Sequence, residues 1–345
     1  MKYIGNKTRL LDFIYESLIE DSVPIAGTLC DIFGGTGSVG RFFKEKGMSV
    51  ISNDIMTYSF YHQYTNVYLN TIPKFKKLFG GDISKIINYL NNIPPKEHGY
   101  VFENFAPSGE AGRQYFSDDN AKKIDAVRDQ IEDWKKSGDI NKDEYIVLVD
   151  LLVDAADFVA NISGTYGAYL KIWRSMALKP FTIKEPDIYN SNKTNFIYQE
   201  DANQLIKKIK CDILYIDPPY NERQYAPNFH VLETLSVWDK SVLIGKTGQR
   251  NYDDKKSLYC LKKEATQAFK QLIEDAQAKY IVVSYNNEGI IPKEELISIL
   301  KSKGTVTEHR KNYRRFRTER DNDHRQYKDC DDKVIEHLYI VTINK

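Results

Sequence analysis

What the 345-residue sequence lacks narrows its class first. No apolar run approaches the roughly 20 residues needed to cross a bilayer. Met1-Lys2-Tyr3-Ile4-Gly5-Asn6-Lys7 has no apolar core followed by a cleavage site, so no membrane is expected and the expected location is cytoplasmic. The four cysteines, Cys30, Cys211, Cys260 and Cys330, lie far apart with no C-x-x-C pair, which points away from a zinc site or a disulfide framework. Neither sign of charge is in excess. A net charge of +1 excludes a uniformly basic surface, so a polyanionic partner would have to be met by local patches. There is no internal repeat and no low-complexity tract. With 41% hydrophobic and 28% charged residues, the composition is that of an ordinary soluble protein with one large core or two modest ones.

The stretch Leu214-Tyr215-Ile216-Asp217-Pro218-Pro219-Tyr220 reads as a strand running into a reactive turn. The exocyclic amine of a nucleobase is a poor nucleophile because its lone pair is delocalised into the ring. Two acceptors, the Asp217 carboxylate and the Pro218 carbonyl, would bind its two hydrogens and draw the lone pair out of conjugation. Pro218 and Pro219 fix φ and bring no N–H to compete, and Tyr220 offers a stacking face. A plain strand-terminating turn accounts for the same residues when they are taken alone.

Upstream, Thr28-Leu29-Cys30-Asp31-Ile32-Phe33 reads as a buried strand, and Gly34 to Gly40 leads to a helix through Phe42 and Phe43. Gly35, Gly37 and Gly40 fit G-x-G-x-x-G. A second strand, Ser49 to Asn53, ends at Asp54, roughly 20 residues after the first glycine, where an acid would accept ribose hydroxyls. The pattern fits an adenosine-bearing cofactor without distinguishing a nicotinamide dinucleotide from S-adenosylmethionine. A tight turn with Asp54 as a helix cap is the bland reading. Before this block Leu10, Ile14 and Leu18 share a helical face, placing Lys7 near a helix N-terminus, where it is either exposed or reaches a carboxylate held nearby.

From residue 94 to 193 the alternation of strand and helix stops. Helical stretches are expected at 120–136 and 142–163, followed by a basic, aromatic run with Lys171, Trp173, Arg174 and Lys179. This segment reads as an insertion into a domain made of 1–93 and 194–345. Strands resume at 195–199, 212–216 and 279–285, with helices at 231–238, 262–276 and 292–303. Asp201 is a helix cap or a contact to a purine, and His230 is given a structural or DNA-contact role. Thr305 to Glu308 and Glu336 to Ile343 are expected as two antiparallel strands. The segment 309–317 between them, with Arg314 and Arg315, suits phosphate contacts and stacking, or simply a solvated hairpin.

A glycine turn after the first strand, an acid after the second and Asp-Pro-Pro-Tyr after the fourth together resemble the DNA adenine methyltransferases, alpha group, Dam-type. Tyr3-Ile4-Gly5-Asn6-Lys7, Gly167-Ala168-Tyr169-Leu170-Lys171 and Tyr220-Asn221-Glu222-Arg223-Gln224-Tyr225 are similar to segments of the methyltransferases that accompany FokI-like type IIS restriction enzymes. The resemblance implies an α/β fold: a doubly wound, mostly parallel, seven-stranded Rossmann-like sheet with a terminal antiparallel hairpin. The insertion becomes a mainly helical DNA-recognition subdomain. S-adenosylmethionine is the implied cofactor, met by Tyr3, Lys7, Asp31, Phe33, Gly35, Gly37, Asp54 and Asp201. Asp217, Pro218, Pro219 and Tyr220 would act on an adenine flipped out of the duplex.

Lys171, Arg174, Arg223, Arg314 and Arg315 are the expected DNA contacts. The expected partner is double-stranded DNA, bound by a monomer, with a cognate restriction endonuclease acting separately as a candidate second partner; no metal is expected. Competing readings are a nicotinamide dehydrogenase, which leaves Asp217 to Tyr220 unused, an RNA or cytosine amine methyltransferase, and a DNA-binding protein without activity.

Overall fold

The computed structural model describes residues 5–314 and 333–343. Tyr3, Cys330 and Arg315 lie outside the described residues, and Arg314 is described by its backbone alone. The chain forms two compact units. One holds Met56–Asn190 and Ala226–Asp254; the other holds Gly5–Ile55, Ser191–Tyr225 and Lys255 onward.

The second unit contains a seven-stranded mixed sheet: β1 (Thr28–Asp31), β2 (Ser49–Asn53), β3 (Phe196–Tyr198), β4 (Ile213–Ile216), β5 (Tyr280–Asn286), β6 (Gly304–Arg314) and β7 (Lys333–Ile343). The order is β3-β2-β1-β4-β5-β7-β6, parallel from β3 to β5 and antiparallel at β7 and β6. All four residues of β4 are buried, which explains its unbroken apolar run: a central parallel strand is covered on both faces. Alternate positions, Cys30 and Ile32, Leu214 and Ile216, Ile281 and Val283, Tyr339 and Val341, join one core cluster with Leu205, Phe269, Leu272, Leu296 and Leu300 from helices Ala202–Leu205, Ala265–Asp275 and Lys293–Lys301. The residues between them point to the opposite side of the sheet.

Strand register positions the acids. Asp31 lies level with Ser52 of β2 and Tyr215 of β4, so Asp54 and Asp217 each follow two residues beyond that level. All three reach the C-terminal edge of the parallel strands. β7 runs the other way, and its pairing of Glu336 with Asn286 brings an acid from near its beginning to the same edge.

The terminal hairpin is longer than its sequence suggests. β6 continues past Glu308 because the ladder with β7 holds to Arg314 opposite Lys333. No Gly or Pro interrupts residues 305–314, so the basic run that reads as a loop carries the strand on.

The other unit is helical. Its two longest helices are Asp118–Lys136, capped by Ser117, and Lys142–Phe158, opened by a capping box of Asn141 and Glu144. The second stops before the expected 163; Asn161 there donates its side-chain amide to the carbonyls of Gln114 and Leu170. Residues 94–190 of the expected insertion belong to this unit, together with 56–93 and 226–254. Buried carboxylates tie the pieces together. Asp125 accepts from the amides of Val101 and Phe102, both at 2.8 Å, and Glu233 accepts from Thr57 and Tyr58 at 2.8 and 3.2 Å. Arg128, fully buried, donates to the Leu235 carbonyl, to Glu132 and to the Tyr145 hydroxyl. No helix among the described residues is long and apolar enough to cross a membrane.

Candidate active site

At the C-terminal edge of the sheet the turn after β1 is built from glycine. Gly35 and Gly37 have φ of +51° and +70°, a region that residues with a Cβ seldom adopt. Gly37 closes the turn by donating to Gly34 at 2.7 Å and then caps the helix Ser38–Glu45. The Gly35 amide donates to the Asp54 carboxylate at 3.0 Å, joining the first glycine turn to the acid after β2. Phe33 packs edge-on against Tyr259, with ring centroids 5.0 Å apart.

One residue of this edge was not singled out in the sequence. Asn53, 1% exposed, donates to the carbonyls of Ile32 and Glu200 and accepts from the Glu200 amide. It therefore braces the segments after β1, β2 and β3 against one another. Only the strand register, which sequence spacing does not reveal, brings these partners together.

Asp31 is 1% exposed, and its Oδ1 has no hydrogen-bond partner in the structure. Burial, reinforced by the Asp217 and Asp54 carboxylates, pushes its acid range up to about 8. Asp217 is pushed up to about 7, first by burial; Lys7 opposes the shift and Glu336 adds to it. Lys7 is shared. Its ammonium lies 3.2 Å from Asp217 and donates to Glu336 at 2.7 Å, and the Ser284 hydroxyl donates to the same Glu336 oxygen. Although burial pulls Lys7 down, the carboxylates of Asp217 and Glu336 raise it well above the ordinary lysine range. Of the two positions open to Lys7, it takes the one beside a carboxylate, and it meets two.

The other candidates divide. Pro218 is buried, Pro219 and Tyr220 are partly so, and the Tyr220 carbonyl accepts from the Ile290 amide at 2.9 Å, pinning the end of the motif. Asp201 is exposed and caps the helix Ala202–Leu205, accepting from Gln204 at 3.1 Å. Lys171 and Arg223 are exposed. Arg174 is half-buried and spends part of its guanidinium on the Ile162 carbonyl at 2.6 Å. His230 is buried in the helical unit, 3.0 Å from the Tyr166 carbonyl, and burial lowers it to about 4; it is a neutral structural residue.

A glycine turn, an acid after β2 and Asp-Pro-Pro-Tyr with Pro218 buried meet at one sheet edge, the arrangement expected of a methyltransferase. A family model described as D12 class N6 adenine-specific DNA methyltransferase matches residues 3–334, and the chain belongs to that family. It is 42% identical to the type II methyltransferase M.FokI of Planomicrobium okeanokoites over 92% of this chain and 50% of that protein. It is 38% identical to the type II methyltransferase M.NlaIII of Neisseria lactamica over 99% of both, and 39% identical to the modification methylase StsI of Streptococcus sanguinis over 87% of this chain and 46% of that protein. The chain thus spans about half the length of M.FokI and StsI and nearly all of M.NlaIII.

Proposed function

We propose that this chain transfers a methyl group from S-adenosylmethionine to the exocyclic amine of an adenine flipped out of duplex DNA, as the modifying half of a restriction-modification system. The observation that carries the reading is Asp217, a largely buried carboxylate at the strand edge with Pro218 beside it and the glycine turn of β1 on the neighbouring strand. Asp217 and the Pro218 carbonyl accept the two amine hydrogens, and Tyr220 stacks on the base. Alignment and electrostatic tuning at nitrogen then supply the rate. Ionised Asp217 is the stronger acceptor and carries no O–H of its own, so activity falls as pH drops through about 7.

The residues at this edge fit S-adenosylmethionine. The free Oδ1 of buried Asp31 suits a cationic donor, and the left-handed Gly35 and Gly37 leave backbone open to close approach. Asp54 suits the ribose hydroxyls, Phe33 the adenosine end, and Asp201 the adenine amine. Lys7 keeps one of its three donors for the methionine carboxylate after serving Glu336 and Asp217, and Tyr3 is assigned to the same end. The cofactor supplies an activated methyl group on a sulfonium.

The strand order and the glycine turn support a doubly wound, Rossmann-like reading of the sheet. Residues 94–193 are read as the DNA-recognition subdomain, through Lys171 and Arg174, with Arg223, Arg314 and Arg315 as further phosphate contacts. The protein is read as a cytoplasmic monomer, its cognate endonuclease a separate chain. The test is to incubate duplex DNA with the protein and S-adenosylmethionine and sequence it for modified bases. Methylated adenines in a single sequence context are expected. Methylated cytosine amines, or methyl transfer to RNA in preference to duplex DNA, would overturn the reading.

A further inference from the structure

Glu336 lies on β7, in a strand otherwise read as sheet-closing, yet its side chain is 6% exposed and faces the catalytic edge. An acid in that setting needs partners, and it has two: the Lys7 ammonium at 2.7 Å and the Ser284 hydroxyl. Lys7 stands nearer to Glu336 than to Asp217, 2.7 against 3.2 Å. Were Glu336 absent, the buried ammonium would be left to Asp217 alone and would settle on it, because attraction at contact distance in a poorly solvated site is strong. Asp217 would then offer its lone pairs to lysine and not to an incoming amine.

We propose that Glu336, anchored by Ser284, is a positioning residue that draws Lys7 off Asp217 and so keeps the Asp217 carboxylate available as the acceptor of the substrate amine. The inference rests on the amine-methylation reading given above, but part of its test does not. The groups that act on Asp217 are Lys7 from the segment before the first helix, Glu336 from β7, Asp31 from β1 and Tyr215 from β4. Of these, Glu336 and Asp31 repel its negative charge and Lys7 attracts it. Removing the Glu336 charge therefore favours ionised Asp217 while binding Lys7 to it more closely.

The experiment compares the wild type with Glu336→Gln, which keeps shape and an acceptor oxygen. The carbon-13 carboxyl resonance of Asp217, assigned by its loss in Asp217→Asn, is followed against pH without cofactor or DNA. It should titrate roughly one unit lower in Glu336→Gln. In single-turnover methyl transfer at saturating S-adenosylmethionine the acid limb should move down by a similar amount, while the plateau rate falls about tenfold. Coincident titration curves would overturn the role of Glu336. A wild type that fails to methylate adenine while the resonance still shifts would instead overturn the amine-methylation reading. If Glu336→Gln does not fold, Ser284→Ala is read. It removes a neutral hydroxyl and should lower the plateau severalfold without moving the acid limb, and a plateau equal to the wild type's would overturn the proposal.

Discussion

Buried charge serves opposite ends in the two units. In the helical unit, Arg128, Asp125 and Glu233 are each held by two or more hydrogen bonds, several to backbone, and they fasten segments distant in sequence. In the sheet unit, Asp31, Asp217 and Glu336 crowd one edge with Lys7 shared between two of them, and Asp31 keeps an oxygen without a partner. Hydrogen bonds to backbone amides and carbonyls make a buried charge a fastening point, whereas carboxylates crowded around one shared ammonium are suited to chemistry. A buried acid is thus informative through its partners more than through its burial.

That contrast can be broken by substitution. Asp217→Ala should have the largest effect, lowering methyl transfer about 10³-fold while S-adenosylmethionine still binds in a calorimetric titration; normal turnover would remove Asp217 from the chemistry. Next, Arg128→Met should destabilise the protein by about 3 kcal/mol in urea unfolding, since the Leu235 carbonyl and the Tyr145 hydroxyl lose their buried donor.

Asp31→Asn should do the reverse. An aspartate in water titrates near about 3.9, and Asp31 near about 8 in the fold. Its contribution to stability is therefore full below the lower value and is lost as pH rises through the upper one. The substitution should raise the unfolding free energy by about 1–2 kcal/mol at pH 8 and by less at pH 5, while weakening cofactor binding. A loss of stability at pH 8 would mean that the two units treat buried charge alike. Smallest of all, exposed Lys171→Ala should leave folding intact and reduce the salt dependence of DNA binding by about one unit of slope. An unchanged slope would remove Lys171 from the DNA contacts.

Much of the sheet was legible because each parallel strand is a short apolar run bounded by turn residues or acids, and the acids at the strand ends, Asp31, Asp54 and Asp217, are the ones that register brings to one edge. What stayed hidden depends on partners far away in sequence. Glu336 reads as one polar residue in a strand until antiparallel pairing carries it to the edge that holds Asp217, and Asn53 reads as a strand end until three segments converge on it. Arg128 looks like an exposed helical charge paired with Glu132 one turn on, since its buried partners at 145 and 235 share no pattern with it. β6 runs beyond Glu308 to Arg314 because basic residues extend a strand as well as a loop where no glycine or proline interrupts them. The helix from Lys142 ends at Phe158, short of the expected 163, because periodicity carries no information about where an apolar helix stops.

The pairing of Lys7 with Glu336 joins residues 329 positions apart. Contacts of such separation carry a large loop-closure cost and are slow to form. Until β7 adds to the sheet, Lys7 has Asp217 alone for company and Asp31 lacks a finished wall. The edge that carries Asp217 is therefore completed only when β7 pairs with β5, after Asp-Pro-Pro-Tyr has already been synthesised.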